Sequence, residues 1–228
     1  MSIMKYAFVL WIVFCLMACS TQPQPMVEIP VSYLALGDSY TIGESVSEEG
    51  RWPNQLVATL QEKGLKVSPP KIIATTGWTT SELMDGINSS DIDAHYDLVS
   101  LSIGVNDQYR GYSISEFESR FEALILRAIS LAKDRPQRVF VLSIPDYSIT
   151  QFAASLDTLR VAKEIEAYNA LKRKVCKKYN IQFFDITPIS RLAKDDISLI
   201  AEDQLHPSAA MYQQWIELIA KDVAELIQ

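Results

Sequence analysis

The sequence predicts an α/β fold, a three-layer α/β/α arrangement around a central, mostly parallel, five-stranded sheet. From residue 31 onward, short apolar runs rich in β-branched residues alternate with longer amphipathic segments, the pattern of successive βαβ units. The 228 residues are 48% hydrophobic and 21% charged, with only 8 Gly and 10 Pro, which suits one packed domain without a disordered tract. No internal repeat or linker interrupts it after residue 30.

Strands are expected at 31–37 (VSYLALG), 71–75 (KIIAT), 97–104 (DLVSLSIG), 138–144 (RVFVLSI) and 181–185 (IQFFD). Helices are expected at 52–63, 80–86, 116–133, 156–178 and 208–227. Gly64 suits the end of the first helix, because a C-terminal helix turn favours a residue with no Cβ. Thr79 with Glu82, and Ser115 with Glu118, have the spacing of capping boxes. Phe117, Phe121, Leu124, Ile125 and Ala128 share one helical face, as do Met211, Trp215, Leu218 and Ile219; both stripes read as core.

The first 18 residues have another character: Lys5 leads into the apolar run YAFVLWIVFCLMA, followed by Cys19 and the polar STQPQP. That is a signal-peptide layout, and the run is shorter than the roughly 20 apolar residues of a membrane span. Leu16-Met17-Ala18-Cys19 resembles a bacterial lipobox, Met17 being a less usual occupant. The resemblance implies a lipoprotein signal peptide at 1–18, palmitate-type acylation of Cys19, a tether at 19–30 and a domain at 31–228. It also implies a lipid anchor at the bacterial cell envelope. Ser20, in place of an aspartate, points to the outer membrane or periplasmic face rather than inner-membrane retention. A plain secretory signal or an uncleaved anchor is the alternative. On the lipobox reading Cys15 leaves with the signal and Cys176 remains alone, so the mature chain forms no internal disulfide.

Composition and motifs exclude several function classes. Lys and Arg total 21 against 28 Asp and Glu, a net charge of -7 without a basic stripe, so nucleic acid is not an expected partner. There is no Gly-x-Gly-x-x-Gly, P-loop or Cys-x-x-Cys, and two histidines are too few for a His-rich zinc site. No cofactor and no metal is called for. The Gly-x-Ser-x-Gly elbow of α/β-hydrolases is also missing.

Ligands of open parallel sheets bind beyond the carboxyl ends of the strands, so the residues just after each strand matter. They are Gly37-Asp38-Ser39, Thr76-Gly77-Trp78, Gly104-Val105-Asn106-Asp107 and Pro145-Asp146-Tyr147, with Asp203 and His206 ahead of the last helix. A serine nucleophile needs a base, a group that orients the base, and oxyanion donors. His95 precedes the third strand and belongs to the opposite edge from Ser39. His206 has Asp203 three residues upstream, close enough for the carboxylate to fold back onto the imidazole.

These elements, over residues 33 to 212, resemble the SGNH hydrolases, the GDSL family of esterases and lipases. The blocks are Gly37-Asp38-Ser39-Tyr40-Thr41, Gly77, Gly104-Val105-Asn106-Asp107, and the Asp-x-x-His of Asp203 and His206. Tyr40 stands in the place of the namesake leucine, and the second block is reduced to its glycine. The resemblance implies a flavodoxin-like fold and a serine ester hydrolase working through an acyl-enzyme. Ser39, Asp203 and His206 would be catalytic, and the Ser39 N–H, Gly77 N–H and Asn106 side chain would form the oxyanion hole. Asp38 and Asp107 read as structural. Arg110 reads as a surface ion pair or a partner for an acidic substrate group, and Tyr40 and Trp78 either narrow the cleft or pack beneath it. The segment IPDYSITQFAASL, after the fourth strand, lines an acyl groove or merely covers the core. The substrate ordering is acyl-lipid (lysophospholipase-like) or simple acyl ester first and carbohydrate acetyl ester second. A non-catalytic lipoprotein that binds a glycan or lipid is the reading from another class.

Overall fold

The computed structural model describes residues 29–228. The expected signal peptide, Cys19 and most of the expected tether fall on residues 1–28, outside the described residues. Of the tether, Ile29 and Pro30 are exposed and belong to no helix or strand.

Five strands form one sheet: β1 (Tyr33–Gly37), β2 (Lys71–Ala74), β3 (Leu98–Ser102), β4 (Val139–Leu142) and β5 (Gln182–Phe184). Their order is β2-β1-β3-β4-β5, and every pairing is parallel, which sharpens the expected mostly parallel sheet. The three inner strands are buried at every position, Ser100 and Ser102 of β3 included, as a sheet covered on both faces requires, while β2 and β5 at the edges start exposed. Gly37 pairs with Ala74 on one side and Ser102 on the other, so these three strand ends are level. The strand order reverses at β1, which puts the topological switch point between β1 and β3.

The helices are α1 (Ser39–Ile42), α2 (Trp52–Glu62), α3 (Thr80–Ser89), α4 (Val105–Tyr109), α5 (Ile114–Leu131), α6 (Thr158–Lys178), α7 (Thr187–Arg191) and α8 (Ala209–Ile227). On one face of the sheet α2 packs against α8; on the other α3, α5 and α6 pack in series. Right-handed crossovers explain the division, since α2 leads outward to β2 whereas α3, α5 and α6 lead back toward β5. Gly64 ends α2 at φ +83, with the Leu65 N–H on the Leu60 carbonyl at 3.1 Å.

Two local expectations are corrected. The box that starts α5 is Ser113 with Glu116, not Ser115 with Glu118. Both tetrads have the spacing; the earlier one forms, and Glu118 instead pairs with Lys174 of α6 at 2.9 Å. Leu218 is 47% exposed, because the buried stripe of α8 is centred on Tyr212, Trp215, Ile216 and Ile219 and leaves Leu218 beyond its margin. The α5 stripe from Phe117 to Ala128 is fully buried as expected.

Candidate active site

β1 delivers its last glycine against β3. A Cβ on Gly37 would sit 2.4 Å from the Ser102 carbonyl and 2.1 Å from Thr41 Oγ1, so only glycine lets the chain turn here. Asp38 then caps α1 by accepting the Tyr40 N–H at 3.0 Å, the structural role expected of it, and Ser39 becomes the first residue of that short helix.

The partner comes from the far end of the chain. Ile200 bridges Pro207, and Gln204 takes the left-handed conformation at φ +63, folding the loop so that Asp203 meets His206. Ser39 Oγ lies 2.8 Å from His206 Nε2, and His206 Nδ1 lies 2.6 Å from Asp203 Oδ2. Asp203 Oδ1 accepts the N–H groups of Leu205 and His206, both at 2.9 Å, and Ser45 donates its hydroxyl to Oδ2 at 2.8 Å. Burial works against ionisation of Asp203, but the hydrogen bonds from His206, Leu205 and Ser45 outweigh it and hold the carboxyl down to about 2. An ionised Asp203 favours the proton on Nδ1, which leaves Nε2 free to accept the proton of Ser39. Tyr40 sets its ring edge-on to the imidazole at 5.2 Å.

Asn106 follows β3 on α4 and lines the cleft with Ser39 and His206, while Gly77 follows β2 at φ +83 and is not among the lining residues. The Asn106 amide donates one hydrogen to the Trp78 carbonyl at 2.9 Å and keeps the other. Asp107, buried beside it, accepts the Thr80 N–H at 2.9 Å and the Thr80 hydroxyl at 2.5 Å, a structural role again. Arg110 donates from Nη2 to the Gly77 carbonyl at 2.6 Å and from Nη1 to Glu82 at 3.2 Å. It is therefore an ion pair with a second grip, on the carbonyl of Gly77. Among the described residues no group accepts the N–H of Ser39 or of Gly77.

Between the two sides opens a cavity of about 90 Å³, lined by Ser39, Asn106 and His206 with Tyr40, Tyr109, Tyr147 and Phe152 among its walls. Tyr147 and Phe152 come from the segment expected at the cleft edge. Tyr109 forms a ring cluster with them, its centroid 5.9 Å from Phe152 and 6.4 Å from Tyr147. Trp78 packs on α3 instead, where a Cβ on Gly86 would meet its ring at 2.3 Å. His95 is exposed ahead of β3, at the other edge. Sequence reasoning missed Ser45 and Tyr109: a loop serine and a tyrosine two residues past Asn-Asp have no distinguishing pattern. Among the described residues no cluster of His, Cys, Asp and Glu is arranged to hold a metal ion.

A parallel α/β/α sheet presenting a hydrogen-bonded Ser–His–Asp row at its carboxyl edge, with the Asn106 amide in the same cleft, defines an ester-hydrolase class of fold and site. The chain belongs to the GDSL-like Lipase/Acylhydrolase family, whose profile matches residues 35–214, and it is accordingly an esterase-type hydrolase. Its fold is similar to that of a lipase/acylhydrolase from Enterococcus faecalis, at 18% identity over 86% of this chain and 96% of that one, with a TM-score of 0.67. It is similar to an acetylxylan esterase from Geobacillus stearothermophilus at 20% identity, 85% and 94% coverage and a TM-score of 0.64. A member of the lipolytic G-D-S-L family from Veillonella parvula matches at 15% identity, 83% and 96% coverage and a TM-score of 0.62. A search of curated proteins returns no match.

Proposed function

We propose that the protein hydrolyses carboxylic esters of acyl-lipid or simple acyl type through an acyl-enzyme on Ser39. The observation that carries the reading is the continuous Ser39–His206–Asp203 relay at 2.8 and 2.6 Å, facing the Asn106 amide across one cleft. His206 takes the Ser39 proton as Oγ attacks the ester carbonyl, then returns it to the departing alcohol; Asp203 holds the tautomer and stabilises the imidazolium. The tetrahedral oxyanion is met by the N–H groups of Ser39 and Gly77 and the free hydrogen of Asn106. Water, activated by His206, then attacks the acyl-enzyme carbonyl and Ser39 leaves with its proton restored. The acyl chain lies against Tyr147 and Phe152, and continues over the exposed rings of Tyr109 and Phe152.

A second reading, a carbohydrate acetyl ester, is favoured by the small cavity of about 90 Å³ and by the fold shared with an acetylxylan esterase. Hydrolysis of p-nitrophenyl esters from acetate to palmitate, with Ser39→Ala as control, separates them. Serine-dependent activity that rises with chain length supports the acyl-lipid reading. Activity confined to acetate supports the sugar ester.

We further propose that Cys19 carries the lipid that holds the enzyme at the cell envelope. Ser32 bonds Asp97 at the amino-terminal edge of the sheet, so the tether joins the domain at the pole away from Ser39. Metabolic labelling with palmitate, lost in Cys19→Ala, is the expected result; labelling that persists in that variant removes the proposal.

A further inference from the structure

One buried charge takes no part in these steps. Lys172 of α6 has no exposure, and its ammonium donates to the carbonyls of Ile103 and Leu142, both at 2.8 Å. The β3–β4 pairing ends at Leu101 with Val141, so both carbonyls lie past the last rung, where the strands part. Ile103 leads directly into Gly104 at φ +121, and Asn106 follows two residues later on α4. The turn has little slack on its other side, because a Cβ on Gly104 would sit 2.9 Å from the Phe117 ring.

A charged donor makes stronger hydrogen bonds than a neutral one, while an ammonium without compensation is costly inside a protein. A methionine or leucine would fill the same space without that cost, so a fully buried lysine at this split calls for a use. We propose that Lys172 is a positioning residue for the oxyanion side: it clamps the parted ends of β3 and β4 and so fixes the turn that presents the Asn106 amide. The inference rests on the ester-hydrolase reading above.

The groups facing Lys172 come from four elements. Asp38 lies at the β1–α1 junction, Asp107 on α4 and Cys176 one turn further along α6, and the Phe121 ring of α5 is 5.5 Å away. Burial pulls the ammonium down to about 8, against the opposing influence of Cys176, Asp38 and Asp107. Burial likewise pushes Asp38 up to about 7, opposed first by the Tyr40 N–H and then by Lys172. Between pH 8 and the ordinary lysine value of 10.5 the unfolded chain therefore binds more protons at this residue, and its contribution to stability rises with pH. A loss of activity across that window has the opposite sign from a loss of fold.

The test is a double-mutant cycle on p-nitrophenyl acetate, after wild type has shown turnover that vanishes in Ser39→Ala. Absence of that turnover would refute the ester-hydrolase reading itself, before any cycle is run. Lys172→Met is expected to lower kcat about 10-fold with KM near wild type, but by less than about twofold in an Asn106→Ala background, because its effect passes through that amide. Equal losses in both backgrounds, or an unchanged kcat, overturn the proposal. Should Lys172→Met fail to fold, the pH profile of the unaltered chain decides. The expected result is a kcat that falls above about pH 8 without a fall in Tm, and no such limb in Asn106→Ala. A flat wild-type profile, or the same limb in both proteins, overturns it.

Discussion

On one side of the cleft, Ser39, His206 and Asp203 touch one another in sequence, at 2.8 and 2.6 Å. On the other, Gly77 and Asn106 are brought into register through third parties: the Trp78 carbonyl, Arg110 on the Gly77 carbonyl, and Asp107 on Thr80. The serine side is a chain of side chains, each useless without the next. The proposed oxyanion side is a backbone held in shape by pins around it. Damage should therefore be abrupt on the first side and graded on the second.

The largest effect sharpens that contrast: Ser39→Ala should cut kcat for a p-nitrophenyl ester by about 10⁴-fold or more while leaving Tm close to wild type. Asn106→Ala removes one proposed oxyanion donor and should cost about 10²–10³ in kcat, again with a folded protein by circular dichroism. Equal activity in that folded variant would take Asn106 out of the site. Arg110→Ala withdraws only a pin, and a kcat about 5- to 10-fold lower is expected as Gly77 loosens. Its ion pair with Glu82 is 42% exposed on both partners, so the stability change should stay within about 1 kcal/mol. A loss in Arg110→Ala as large as that in Asn106→Ala would break the distinction between donor and pin.

The smallest effect concerns stability and pH. Asp203 is held at about 2 in the folded chain against an ordinary 3.8, so its pairing stabilises the fold above the ordinary value and that contribution is lost as pH falls toward 2. Thermal unfolding at several pH values should show the Tm advantage of wild type over Asp203→Asn shrinking between about pH 4 and pH 2. An advantage that is constant through the window would mean that Asp203 is not held ionised by these partners.

The two sides also differ in how far the sequence discloses them. Ser39, Asp203 and His206 were legible because a chain with two histidines offers few bases and the Asp-x-x-His spacing closes locally. Gly77 and Asn106 could be named from the family resemblance, but the way they are held could not. Arg110 and Lys172 act on carbonyls of Gly77, Ile103 and Leu142, and a backbone carbonyl is the same at every position. The three inner strands are readable because they are buried throughout, and the edge strands β2 and β5, which start exposed, because each keeps a short β-branched or aromatic run. Helices α1, α4 and α7, at four or five residues, are too short to show periodicity. The start of α5 is ambiguous in the sequence because two overlapping tetrads, from Ser113 and Ser115, satisfy one rule.

Whether the relay makes Ser39 a nucleophile can be read from its reaction with a fluorophosphonate followed by peptide mass mapping. One phosphonyl adduct is expected on the peptide that contains Ser39, absent from Ser39→Ala and strongly slowed in His206→Ala. An adduct on another residue, or none on the folded wild-type protein, would contradict it.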